Sequence, residues 1–279
     1  MNKERLIANT LFFAVSFMIF FAFFNWIIPK SDTKLTKRDF LSQKVETFSY
    51  VAIGDSLTQG IGDTTGQGGF VPLLANNLNA TYGYEIETSN YGVAGNTSNQ
   101  ILSRMQKNDE ITQKLAQADL LTLTLGGNDV MAVIRKNLAD LKVETFKKPA
   151  KSYQKRLRSI IELAREQNAD LPIYILGIYN PFYLNFPEVT EMQTVIDNWN
   201  QATEEVSQEY QNVYFVPIND LLYKGIDGQE GIVQTVGGQT TIINDALFED
   251  DLFHPNNLGY QLMADTVTEE IRVTKKKWK

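Results

Sequence analysis

The sequence predicts an α/β fold in which a parallel sheet is covered by helices on both faces. Short apolar runs rich in Val, Ile, Leu and Tyr recur from Phe48 onward, bounded by Gly, Pro, Asp or Asn. Amphipathic stretches separate them, and strands separated by helices pair in parallel and are buried on both sides. With 279 residues, 43% of them hydrophobic, the chain is long enough to bury a real core.

The chain opens on Leu6–Ile28, a run of 23 residues whose only polar members are Asn9, Thr10, Ser16 and Asn25. As a helix this run covers about 34 Å, the reach of a single transmembrane pass. It exceeds the core of a secretory signal, and no small-residue cleavage site follows, so an uncleaved membrane anchor over residues 1–29 is expected. Lys30, Lys34, Lys37, Arg38 and Lys44 outnumber Lys3 and Arg5, which by charge count would keep the following flank inside. Long domains are translocated largely regardless of flanking charge, so a cell-membrane protein with an extracellular domain is expected. Residues 30–47 read as a polar linker, 48–273 as the main domain and 274–279 as a basic tail.

Within the main domain the expected strands are Ser49–Ile53, Glu85–Ser89, Leu120–Leu125, Ile173–Ile178 and Val213–Val216. The expected helices are Phe70–Leu78, Ile101–Ala116, Val130–Leu141, Ser152–Gln167, Val189–Tyr210 and Leu258–Ile271, the last capped by Asn256 or Asn257. Residues 224–241 read as a loop or a short β excursion.

Composition restricts the chemistry. The absence of cysteine excludes a disulfide scaffold, a thiolate zinc site, a thiol nucleophile and an iron–sulfur cluster. A single histidine excludes any site needing two or three imidazole ligands. The net charge of −7 argues against a nucleic-acid partner.

Four segments could carry chemistry. Gly54-Asp55-Ser56-Leu57 follows the first strand, where free backbone N–H groups can stabilise a developing anion. Asn90–Thr97 follows the second, and its glycines allow the main chain to approach a ligand. Gly126-Gly127-Asn128-Asp129 follows the most apolar strand and offers an uncharged amide donor, with Asp129 a possible helix cap. Asp251–Asn256 precedes the last helix and holds the lone His254 three residues after Asp251, close enough for the carboxylate to accept from Nδ1. Glu249 and Asp250 are rival carboxylates at longer offsets.

Singly, each segment is also an ordinary turn or cap. Together they supply the parts of acyl transfer: Ser56 as nucleophile, His254 as base and Asp251 as its orienter. The Ser56 N–H, the Gly95 N–H and Asn128 Nδ2 would form the oxyanion hole. A non-catalytic surface protein that merely holds a lipid or glycan has no need of all four segments.

These four blocks resemble those of the SGNH superfamily of GDSL-type serine esterases and lipases, in family order and over Phe48–Ile271. The resemblance puts the nucleophile on Ser56, the glycine on Gly95 (or Gly92), the amide on Asn128 and the Asp–His pair on Asp251 and His254. It implies a three-layer α/β/α, flavodoxin-like fold with five parallel strands, and metal-free ester hydrolysis. It is also similar to a Gram-positive subgroup carried on one N-terminal membrane helix. The aromatic stretch Tyr179–Pro187, with Phe182, Tyr183 and Phe186, is expected to line an acyl pocket for a lipid or acylated-glycan ester.

Overall fold

All five expected strands form, and their alternation sorts the core into two layers. In β1 (Thr47–Gly54), Val51 and Ile53 enter one apolar cluster while Tyr50 and Ala52 enter the other. The computed structural model describes residues 3–27, 46–137, 141–181, 190–223, 232–236, 239–243 and 245–277. The remaining strands are β2 (Glu85–Gly92), β3 (Leu120–Thr124), β4 (Ile173–Leu176) and β5 (Val213–Val216). All pair in parallel in the order β2-β1-β3-β4-β5, the flavodoxin-like arrangement. The chain steps from β1 outward to β2 and then crosses back to β3, so the order switches at β1 and β3. The crevice above their carboxyl ends is where such sheets bind ligands.

In chain order the helices are α1 (Lys3–Ile27), α2 (Ser56–Gln59), α3 (Phe70–Tyr82), α4 (Ser98–Lys107), α5 (Asp109–Ala116), α6 (Gly127–Lys136) and α7 (Val143–Ala164). They continue with α8 (Thr190–Ser207), α9 (Asn219–Tyr223) and α10 (Asn257–Thr274). Helices α4, α5, α7 and α8 pack on the Val51–Ile53 side through Ile101, Leu115, Tyr153 and Trp199. Helices α3 and α10 cover the other side through Phe70, Leu74, Tyr260 and Met263.

Several boundaries differ from expectation. The single helix expected at Ile101–Ala116 is two, because Asn108 closes α4 and its side chain accepts from Glu110 N at 3.0 Å to open α5. The expected Val130–Leu141 begins three residues earlier, at Gly127, and Asp129 is inside the helix rather than its cap. Helix α7 starts at Val143 rather than Ser152 and runs through Pro149. Asn256, not Asn257, caps α10, accepting from Leu258 N and Gly259 N. The short β excursion offered for residues 224–241 does form, as antiparallel β6 (Ile232–Val236) and β7 (Gln239–Ile243), the second running two residues further than expected. The first residues of the expected basic tail form a 3₁₀ turn, Lys275–Lys277, with Lys275 Nζ 3.7 Å from the Tyr82 ring centroid.

The chain divides into two units, Met1–Lys44 and Val45–Lys279. The N-terminal run does form a helix, α1, but the expected membrane span is corrected. Among the described residues no helix is long and apolar enough to cross a membrane. The 25 residues of α1 include Lys3, Glu4 and Arg5 in the first turn and the polar Asn9, Thr10, Ser16 and Asn25 further along. A bilayer core requires about 20 predominantly apolar residues. The linker expected at 30–47 lies outside the described residues as far as 45, and Thr47 already belongs to β1.

Candidate active site

Ser56 is the first residue of α2, at the carboxyl end of β1, and is 7% exposed. Asp55 caps this short helix by accepting from Leu57 N at 3.1 Å. The same carboxylate accepts from Thr124 Oγ1 at 2.9 Å, and Thr124 Oγ1 also lies 2.7 Å from Thr58 Oγ1. The end of β3 is thereby bonded to both sides of the serine. The contact requires a glycine at position 54, where a Cβ would lie 2.2 Å from Thr124 Oγ1. Burial pushes the Asp55 carboxyl up to about 6, against the opposing pull of the Thr124 and Leu57 bonds and the His254 charge.

The segment after β2 is tied to this helix. Asn90 Nδ2 donates to Thr58 O, Ala94 N to Gln59 Oε1 and Val93 N to Gly54 O. A Cβ on Gly92 would meet Gln59 N at 2.1 Å, so only glycine permits the approach. Gly95 is exposed with φ +77°, and open space surrounds its Cβ position. Asn128, the second residue of α6, donates from Nδ2 to Asn96 O at 3.1 Å. That bond uses one of two amide hydrogens and fixes which end of the side chain carries the other. Ser56 and Asn128 line one pocket, together with Leu57, Leu125, Ile178 and Phe253.

His254 lies in the loop closed by the short bridge Leu247–Pro255, three residues before the start of α10. Its Nδ1 is 2.6 Å from Asp251 Oδ2, while Asp251 Oδ1 accepts from the backbone N–H groups of Phe253 and His254. Burial raises the Asp251 carboxyl, but the His254 ring and these two N–H groups outweigh it and hold it below the usual range. Leu252 takes φ +51°, which folds this turn back on itself. His254 follows pocket residue Phe253 directly, and its charge acts on Asp55. Among the described residues no hydrogen bond joins Ser56 to His254. Such bonds commonly tighten only when substrate is bound.

The profile of the GDSL-like lipase/acylhydrolase family matches residues 52–262. An uncharacterised Bacillus subtilis protein, YpmR, is 32% identical over 222 residues, 79% of this chain and 80% of its own length. The chain belongs to the GDSL-like lipase/acylhydrolase family. Membership makes it an ester hydrolase in class. The spore germination lipase LipC of Bacillus licheniformis is 23% identical over 78% of this chain and 94% of its own. The crystal structure of the lipase Lip_vut3 from a goat rumen metagenome shares the fold, with a TM-score of 0.65 and 21% identity. It covers 80% of this chain and 96% of its own.

On this GDSL-like scaffold the structure gathers Ser56 and Asn128 at one pocket and pairs His254 with Asp251 rather than with Glu249 or Asp250. Phe182, Tyr183 and Phe186 lie outside the described residues, although Tyr179 and Pro181 from the same stretch do line the pocket. Two supports escaped the sequence reading. Arg104 Nε donates to Asn96 Oδ1, while its terminal nitrogens donate to Tyr91 O and Gly54 O, joining the ends of β1 and β2 to the glycine loop. Buried Asp129 accepts from Ser98 N, Ser98 Oγ and Arg156, locking the start of α4 to α6. Both sets join residues far apart in sequence, and only the position of Asp129 beside Asn128 hinted at either.

Proposed function

We propose that this chain is a serine ester hydrolase that cleaves carboxylic esters through an acyl-enzyme. Ser56 Oγ attacks the ester carbonyl carbon while His254 Nε2 takes its proton, and Asp251 holds the imidazole in the tautomer that can do so. The carbonyl electron pair moves to oxygen, where the Ser56 N–H, Gly95 N–H and Asn128 Nδ2 stabilise it. Collapse expels the alcohol, which takes the proton from His254, and water repeats the sequence to free the acid and Ser56. The carboxylate, imidazole, hydroxyl and amides account for every proton and charge in this sequence, so the proposal calls on no metal or cofactor.

One observation carries the reading. The only imidazole in the chain is held by a carboxylate at 2.6 Å and sits beside the pocket that contains a capped, buried serine and an amide donor. The substrate we propose is a lipid or acylated-glycan ester. The test of function is hydrolysis of chromogenic esters by the full chain and by Ser56→Ala. The proposal expects turnover in the first and a loss of about 10⁴-fold or more in the second; equal rates would contradict it.

A further inference from the structure

The pocket beside Ser56 is small and its walls are carbon. Leu57, Leu125, Ile178 and Tyr179 present side chains that are all nearly buried, and Phe253 closes the side next to His254. The space open to a water-sized group within it is about 40 Å³, and the pocket opens to solvent at its mouth, so its closed end admits only a small group.

The walls are also held in place. Asn200 Oδ1 accepts from Ile178 N and Asn200 Nδ2 donates to Ile178 O, both at 2.8 Å, fixing the backbone of Ile178. Tyr179 Oη donates to Phe253 O at 2.5 Å, tying one wall to the segment that carries His254. Opposite Ile178 stands Gly127, where a Cβ would lie 3.9 Å from Ile178 Cγ2. The gap between them is therefore about one methyl group wide. Behind it, Trp199 Nε1 packs within 2.9 Å of the Cβ position of Gly126. Packed interiors do not yield such space cheaply, because even one added methylene forces strain.

We infer that this pocket is the acyl site and that it selects esters of two- to four-carbon acids, with Ile178 and Gly127 setting the limit. The inference rests on the proposed ester hydrolysis at Ser56 and adds the acyl class, which among the proposed substrates selects a short-acyl ester, such as an acetylated glycan, over a long-chain lipid ester. A methyl group fits between Ile178 and Gly127 and a propyl group reaches the rest of the pocket, whereas the tail of an octanoyl or dodecanoyl ester does not fit.

The experiment measures kcat/KM of the full chain, in one neutral detergent, for p-nitrophenyl acetate, butyrate, octanoate and dodecanoate. The leaving group is constant, so acyl length alone varies. Acetate or butyrate should exceed octanoate by at least about tenfold, the discrimination a filled pocket gives per excess methylene. Ile178→Ala should raise the octanoate-to-acetate ratio about tenfold, and the milder Ile178→Val should raise it less. Gly127→Ala, which narrows the same gap from the other side, should lower the butyrate-to-acetate ratio. A wild-type preference for octanoate or dodecanoate, or ratios unmoved in all three variants, would overturn the inference while leaving ester hydrolysis standing. No hydrolysis of any of the four esters would overturn the proposed function and this inference with it.

Discussion

The two halves of the site are held in different ways. The serine half is built into the sheet: Asp55, Ser56, Thr58 and Thr124 are buried, and bonds from Asp55 and Thr58 cross from the start of α2 to β3, 66 to 69 residues apart in sequence. The histidine half is local and partly open, with side chains of His254 and Asp251 18% and 35% exposed and the bonds of these two side chains within the turn 251–254. A nucleophile must be rigid against the oxyanion donors, so fixing it through long-range core contacts is consistent with its task. A base that passes protons between serine, leaving group and water needs orientation and access, and a tight carboxylate-bearing turn supplies both. The difference also means that substitutions in the two halves should fail differently.

The largest effect is expected on the histidine side, without cost to the fold. His254→Ala and Asp251→Asn should each lower kcat by about 10⁴-fold. Melting temperatures should stay close to that of the wild-type chain, since these side chains are partly exposed. Combining His254→Ala with Ser56→Ala should cost little more than either alone, because the pair acts as a unit, and kinetics on the double variant checks this. Next comes Asn128→Ala, with kcat down about 10²–10³-fold and KM little changed, as expected of a donor whose bond strengthens in the transition state.

Thr124→Val should then lose both stability and rate, in contrast to the histidine side. It removes the hydroxyl shared by Asp55 and Thr58 and leaves buried acceptors unmatched, at about 1–3 kcal/mol, measurable by denaturant unfolding. The smallest and most specific effect concerns Asp55. Its carboxyl rises from 3.8 to about 6 on folding, so the native state binds that proton more tightly than the unfolded chain. Stability from this group is therefore gained as pH falls from about 6 toward 3.8, and the full penalty of the buried charge applies above 6. Asp55→Asn removes the penalty, so its melting temperature relative to wild type should be higher at pH 8 than at pH 4. A difference independent of pH would contradict this reading of Asp55.

Much of this was legible in the sequence, for physical reasons that particular residues show. The central strands announced themselves because a parallel strand buried on both faces is rich in apolar residues, as Leu120–Thr124 is with three leucines in five residues. Of the candidate site residues, Ser56 and Asn128 could be singled out because they fall at a strand end and a helix start, where chain geometry limits the choices. The helix break at Asn108 was missed because the apolar period of α4 continues into α5, although Asn108-Asp109-Glu110 is a recognisable cap followed by an acidic first turn. Arg104 was unreadable because its partners, Gly54, Tyr91 and Asn96, come together only when β1 and β2 pair. The pairing of Asp129 with Ser98 and Arg156 was hidden for the same reason. The long apolar run at the N-terminus was legible as a helix, whereas the membrane span inferred from its length was not supported.

The central claim is that Ser56 is the nucleophile and that His254 activates it. The most direct measurement is covalent labelling of the full chain by a fluorophosphonate, with the adduct located by peptide mass spectrometry and its rate followed in wild type and His254→Ala. The account predicts one adduct per chain, on Ser56, formed at least about 10³-fold more slowly when the imidazole is removed. An adduct on any other residue, or an unchanged labelling rate in His254→Ala, would contradict it.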